Sequence, residues 1–292
     1  MPVSVTQHPR SYNTAMDLKT RPLGRTSVQP TIIGLGGEGA LRTTGHGKEA
    51  YRVINRALDL GITYCESARA YAGSEEYYGL ALRERRKDIF LTSKSHARNK
   101  RGAEAHLAAT LRNMKTDYLD LWQVHDVRTE EEIQEIFGPG GAIEAFAAAK
   151  EQGSVRFVGV TGHHDPRITL RCLDLFPFDT VLLPVNPAEA LPGGFVKMVM
   201  PTATKKGMGI IGMKVYFRGL AARLPWYEGM EPFFRFALSQ AVALAVIGAD
   251  TVEQLEENVA FAQTYMAMTP DEQEALVQAV SPYARELMYY KP

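Results

Sequence analysis

Charge of one sign is missing from this chain: 33 lysines and arginines stand against 33 aspartates and glutamates, and the formal net charge is zero. Binding to nucleic acid or to an anionic membrane surface needs clustered Lys and Arg, so the balance argues against both kinds of partner. The one dense basic run, Arg83-Glu84-Arg85-Arg86-Lys87, is broken by a glutamate and reads as a solvated helix end. Cysteine is almost absent. Cys65 and Cys172 are the only two, which excludes a disulfide framework and a thiolate metal site and makes a reducing cytoplasm the expected compartment. Long apolar runs are lacking too. Ala241 to Ile247 is too short to span a bilayer and suits a buried strand, and the first ten residues have no apolar core of a signal peptide. A Gly-x-Gly-x-x-Gly fingerprint is also missing after the first strand. Gly34-Leu35-Gly36-Gly37-Glu38-Gly39 only resembles it, which weighs against a doubly wound open sheet.

What is present is an ordinary globular composition over 292 residues, 45% hydrophobic and 23% charged. Short apolar runs alternate with stretches of helical periodicity. Strands are expected over 31–36, 63–66, 89–93, 118–124, 155–161, 180–185, 209–213 and 242–247. Helices are expected around 51–60 and over 75–82, 103–114, 140–152, 166–175, 194–206, 231–239 and 251–265, with an extra C-terminal helix over 270–280. Residues 1–17 read as a loose arm, and a hairpin cap is expected around Leu23-Gly24-Arg25-Thr26. Eight strand–helix units imply a parallel, closed (β/α)8 barrel over residues 18–292.

In such a barrel all strands end on one face. Glu66, with Tyr71 just beyond it, closes the second strand, Lys94 the third and His125 the fourth. Taken singly these would be a helix-side acid, a loop tyrosine, a solvated lysine and a hydrogen-bonded histidine. Their joint placement assembles an acid, a cation and an imidazole around a phenol, a device for moving a proton onto an oxygen.

The wider pattern resembles the aldo-keto reductase superfamily, in a divergent bacterial-type branch, over nearly the whole chain. The resemblance rests on Arg21-Pro22-Leu23-Gly24-Arg25-Thr26, Gly61-Ile62-Thr63-Tyr64, Tyr71 with Gly73-Ser74-Glu75, and Ser93-Lys94. It continues through Asp117-Tyr118-Leu119-Asp120-Leu121 leading to His125, Gly153 to Val160, and Gln254-Leu255-Glu256-Glu257-Asn258. It implies a catalytic tetrad of Glu66, Tyr71, Lys94 and His125, with Tyr71 as general acid in the reduction of aldehydes or ketones. Lys94 would draw the phenol pKa down, Glu66 would hold Lys94 charged, and His125 would hydrogen-bond the carbonyl oxygen. It also implies NADP(H) or NAD(H) as cofactor, and no metal. The dinucleotide would be held by Gly36, Gly37, Thr161, Gly162, Met213, Lys214, Arg218, Gly248, Asp250, Thr251, Gln254, Glu257 and Asn258.

Several positions depart from the family pattern. Glu66 replaces the usual aspartate. Thr161-Gly162 and Leu182 stand where the family commonly holds the nicotinamide carboxamide with Ser-Asn and Gln. Met213 replaces an aromatic that often stacks on the ring, and Lys214 beside it reads either as a solvated lysine or as a cofactor or substrate contact. Asp250 stands where many relatives carry the cation for the 2′-phosphate of NADPH, so the chain leans toward NAD(H). Thr251 and Gln254 have capping-box spacing at the start of the last barrel helix. His163 and His164 are adjacent, and on extended backbone they would face opposite sides, which favours hydrogen bonding or a pocket wall over a shared metal ion. Trp122 reads as core and Trp226-Tyr227 as substrate wall. The expected partner is a small carbonyl compound. Two other functions fit the same fold: a non-catalytic dinucleotide-binding sensor or regulatory subunit, and a barrel lyase or isomerase without nicotinamide.

Overall fold

The computed structural model describes residues 17–291. The arm expected over 1–17 lies outside these residues except for Asp17. The chain reads β1 (Ile33–Gly39), α1 (Gly47–Asp59), β2 (Tyr64–Glu66), α2 (Ser74–Ala81), β3 (Phe90–Ser95), α3 (Lys100–Met114) and β4 (Leu119–Val124). It continues with α4 (Glu130–Phe137), α5 (Ala142–Glu151), β5 (Val155–Thr161), α6 (Pro166–Leu175), β6 (Thr180–Pro184), α7 (Phe195–Met198), α8 (Met200–Lys205) and β7 (Gly209–Met213). Last come α9 (Glu231–Leu238), β8 (Leu244–Ala249), α10 (Val252–Gln263), α11 (Pro270–Val280) and α12 (Ala284–Leu287). The strands pair in sequence order, all parallel, and β8 closes on β1. This is the closed (β/α)8 barrel expected from the alternation.

Period two sorts the strand residues into an inner and an outer set. Tyr64, Phe90, Leu121, Leu182, Ile211, Leu244 and Val246 pack together inside the barrel, above Leu23 of the N-terminal cap. Cys65, Leu91, Trp122, Val124, Val158 and Val160 face outward and form the main core with the helices. Trp122 belongs to that core, its ring stacked on Phe146 at 3.7 Å. The cap has hairpin character: Leu23 N donates to Val28 O at 2.9 Å, and Thr20 bridges Thr31 in antiparallel sense.

Two helical expectations change. The segment 194–206 is broken into α7 and α8, because Pro201 sits in the first turn of α8 and has no N–H to continue the ladder. Helix α4 is not among the expected elements. Thr129 caps it, its side chain accepting from Glu132 N, and the three glutamates of its first turn make the stretch look solvated although Ile133 and Ile136 are buried.

Candidate active site

The strand period explains why three of the four tetrad residues meet. Glu66 is two residues beyond the inward Tyr64, Lys94 two beyond the inward Thr92, and His125 two beyond Gln123. The registers Glu66↔Thr92 and Lys94↔Gln123 keep neighbouring strands in step, so these side chains emerge at one end of the barrel interior. Lys94 Nζ lies 2.8 Å from Glu66 Oε1, donates to Ser67 O at 3.0 Å, and stands 4.9 Å from the centre of the Tyr71 ring. The His125 ring meets Tyr71 edge-on, with centroids 6.1 Å apart and planes at 88°. Lys94 is 1% exposed, Glu66 4% and His125 7%.

The electrostatics follow from this enclosure. Burial works against the Lys94 ammonium, but the Glu66 carboxylate and the Tyr71 oxygen together outweigh it and hold the lysine above its ordinary pKa. Tyr71 moves the other way from the expectation. Burial raises its pKa by more than Lys94 lowers it, and the Glu66 and Glu38 carboxylates add to the rise. The phenol is therefore an acid that keeps its proton at neutral pH. Burial first, then Lys94, pushes His125 well below the usual imidazole value, so it is a neutral hydrogen-bonding group.

Tyr71 is fixed by a buried hub that the sequence reading did not single out. Glu75, 1% exposed, accepts hydrogen bonds from Ser93 Oγ at 2.9 Å, Thr110 Oγ1 at 2.6 Å and Asn113 Nδ2 at 3.2 Å, and it pairs with Arg69. Arg69 N donates to Lys94 O at 3.0 Å, which ties the loop carrying Tyr71 to β3. Glu75→Ala is expected to cost about 3 kcal/mol, since it strands a half-buried arginine and three polar groups. The check is a lowered urea midpoint at unchanged slope; a midpoint within error of wild type would show that the hub carries no load.

A trough of about 620 Å³ leads away from Tyr71. Gly36, Gly37, Glu66, Tyr71, Met213 and Lys214 line its inner end; Arg218, Gly248, Asp250, Gln254, Glu257 and Asn258 line the outer arm. Lys94 and His125 lie behind this wall, in contact with it through Glu66 and Tyr71. Thr161, Gly162 and Thr251 do not line it. The Thr161 hydroxyl is turned to the protein, accepting from Asp126 N at 2.8 Å, and so steadies the chain just after His125. A Cβ on Gly162 would fall 2.0 Å from Thr169 Oγ1, so this glycine serves packing. Thr251 caps α10, accepting from Gln254 N at 3.3 Å, while Gln254 Oε1 accepts from Asp250 N at 2.8 Å. The reciprocal bond thus reaches one residue before the capping residue.

The lining also holds His163, for which hydrogen bonding or a pocket wall was expected, and Glu38, which was not among the expected contacts. Both obey the strand-end rule: Glu38 is two residues beyond Gly36, and His163 two beyond Thr161. Glu38 pairs with Arg42 and, at 3.2 Å, with Arg218. The Arg42 guanidinium stands 5.1 Å from the Tyr71 ring centre. His163 approaches Lys214 and His125, whereas His164 Nε2 lies 3.2 Å from Asp126 Oδ1, so the two histidines diverge. Among the described residues no group of three His, Cys, Asp or Glu is placed to hold a metal ion, and no helix is long and apolar enough to cross a membrane. Tyr227 lines the trough, and Trp226 beside it stacks on Phe233 at 6.2 Å.

These features have counterparts in known proteins. The chain is 23% identical to the uncharacterized oxidoreductase YqkF of Bacillus subtilis, over 89% of this chain and 95% of that protein. Aldo-keto reductase AKR11C1 from Bacillus halodurans, in its holo form, superposes with a TM-score of 0.77 at 23% identity, covering 90% of this chain and 96% of that one. An aldo-keto reductase from Klebsiella pneumoniae in complex with NADPH superposes at 0.72 with 21% identity, covering 92% and 96%. The sequence model of the aldo/keto reductase family matches residues 32–224, and the chain belongs to that family.

Proposed function

We propose that this protein reduces aldehyde or ketone carbonyls to alcohols with a nicotinamide dinucleotide, Tyr71 acting as general acid. The observation that carries the reading is the Glu66–Lys94–Tyr71–His125 cluster at the closed end of the trough. The trough fits a dinucleotide by its chemistry. Its inner end meets the proton-handling cluster, and its outer arm runs along the N-terminal turn of α10, whose free N–H groups and dipole favour phosphate. Met213 at the inner end offers a thioether face to a flat ring. When bound, the cofactor supplies hydride.

The chain's residues do the rest. Tyr71 hands its proton to the carbonyl oxygen as that oxygen gains charge. The Lys94 ammonium stabilises the phenolate left behind, and Glu66 keeps that ammonium charged and aimed. Neutral His125 donates to the same oxygen and cannot compete as a stronger acid. A binding-only protein has no use for such a cluster, which favours the enzyme over the sensor. The test is oxidation of NADH and NADPH with a panel of aldehydes, ketones and quinones. Dinucleotide binding without turnover on any of them would leave the sensor reading standing.

The cofactor reading leans to NADH at least as strongly as to NADPH, although the Klebsiella pneumoniae relative is complexed with NADPH. Asp250 is exposed just before α10, and Arg218, the candidate cation on the outer arm, is occupied by Glu38 and Tyr289. A carboxylate there repels a 2′-phosphate and can accept from a ribose hydroxyl. Asp250→Arg is expected to move the ratio of kcat/KM toward NADPH by about three- to tenfold, as suits one exposed charge in water. A wild-type enzyme strongly selective for NADPH, and indifferent to this substitution, would refute it.

A further inference from the structure

Lys214 is a cation without a counter-ion. It follows β7, its backbone held at φ 52°, and its ammonium is turned inward. Nζ lies 2.5 Å from His163 Nδ1, 3.9 Å from Met213 Sδ and 5.0 Å from the centre of the Tyr290 ring. Among the described residues it forms no ion pair, while Lys94, Arg42 and Arg218 nearby each have a carboxylate. An ammonium in an enclosed site without a partner is costly, and an incoming anion relieves that cost.

His163 extends the same device. With the Lys214 ammonium donating to Nδ1, the ring proton sits on Nε2, and buried Nε2 has no partner in the protein. Its ring centre is 5.7 Å from that of His125. Two donors backed by a fixed charge therefore stand next to the place where the reacting carbonyl oxygen belongs.

We propose that Lys214 and His163 form a carboxylate subsite, and that the preferred substrates are short oxo acids, aldehydes or ketones with a carboxylate a few bonds from the carbonyl. The proposal rests on the reductase reading for the word substrate; the subsite itself does not. Lys214 Nζ lies against His163, whose ring neighbours that of His125 in the tetrad, which favours a substrate carboxylate over a cofactor phosphate as the anion. No covalent step is involved: the pair binds and orients.

The charge is also within reach of titration. Burial lowers the Lys214 pKa to about 8; Glu38 and Asp126 support the charge, and Arg218 and Lys94 oppose it. Neutral His163, itself depressed by burial and by Lys214, and the Tyr290 ring complete the surroundings. Preference for the acid in kcat/KM should therefore fade as pH rises through about 8, where the free enzyme loses the ammonium.

The experiment compares 4-oxobutanoate with butanal, and 2-carboxybenzaldehyde with benzaldehyde, in wild type, Lys214→Met and Lys214→Arg. The acid-to-neutral ratio of kcat/KM is expected to fall at least about tenfold in the methionine variant and to recover to within about threefold in the arginine variant. An unchanged ratio overturns the proposal. Equal losses on acid and neutral substrates, with weaker NADPH binding, put the cation on the cofactor phosphates and overturn it too. A second arm needs no turnover: 4-hydroxybutanoate is titrated calorimetrically into the enzyme with NADP+ bound. Heat with wild type but not with Lys214→Met supports the subsite even if no carbonyl compound is reduced, and no heat with wild type overturns it.

Discussion

Tyr71→Phe is expected to lower carbonyl reduction by at least about a hundredfold, within the range that a general acid contributes. The substitution deletes one oxygen and leaves the ring, so its edge contact with His125 and its place beside Arg42 remain. Lys94 keeps Glu66 at 2.8 Å and the Ser67 carbonyl at 3.0 Å, which holds the buried ammonium in place. Dinucleotide binding, followed by quenching of tryptophan fluorescence, should change by less than about threefold, because the loss lies in a group used in the transition state. Turnover of the phenylalanine variant at the wild-type rate would remove Tyr71 from the proposed role.

Glu66→Leu should be the more disruptive change. It leaves the Lys94 ammonium buried at 1% exposure with no carboxylate. Folding stability should drop by about 3–5 kcal/mol. Burial, the largest influence on Lys94 and then opposed by Tyr71 alone, would lower its pKa. The sign follows: the ammonium is present below its pKa and lost above it, so the alkaline limb of kcat/KM should move to lower pH. A shift of about 1–3 units is the usual scale for a close charge partner. Glu66→Asp retains the carboxylate and should keep the wild-type profile with a reduced rate. Identical pH–rate profiles for the leucine variant and the wild type would mean that Glu66 does not support the lysine.

Much of this was legible in the sequence because two periodicities were clean. All eight strands lay on the expected apolar runs, most of them bounded by glycine or by a charged residue, and the period of two carried Glu66, Lys94 and His125 to the same barrel end. The same rule reached further than it was applied: continued past Gly36 it arrives at Glu38 in the trough wall, beside His163, whose place in a wall was already expected from the adjacent histidines. Other features were not legible. The direction of the Tyr71 pKa depends on how much water the fold leaves around one oxygen, which no motif encodes. Thr161 and Gly162 stood at plausible contact positions, yet their side-chain space is taken by Asp126 N and Thr169. Helix α4 was hidden because three glutamates that stabilise its start look, in one dimension, like solvated loop.

The trough straddles the seam where the barrel closes. Gly36 and Gly37 come from the first strand, whereas Gly248, Asp250 and Gln254 come from the last strand and the helix after it. These two strands are paired through Leu35↔Ile247, and their register is irregular between Leu35 and Gly39. Joining them means closing the longest loop between any two paired strands, the strand pairing with the greatest entropic cost to make. A molecule lying along the trough touches both sides of that join at once, and acts as a clasp on a ring. Occupancy would then slow opening of the whole barrel rather than of one loop, so the lifetime of the native state would follow the supply of ligand.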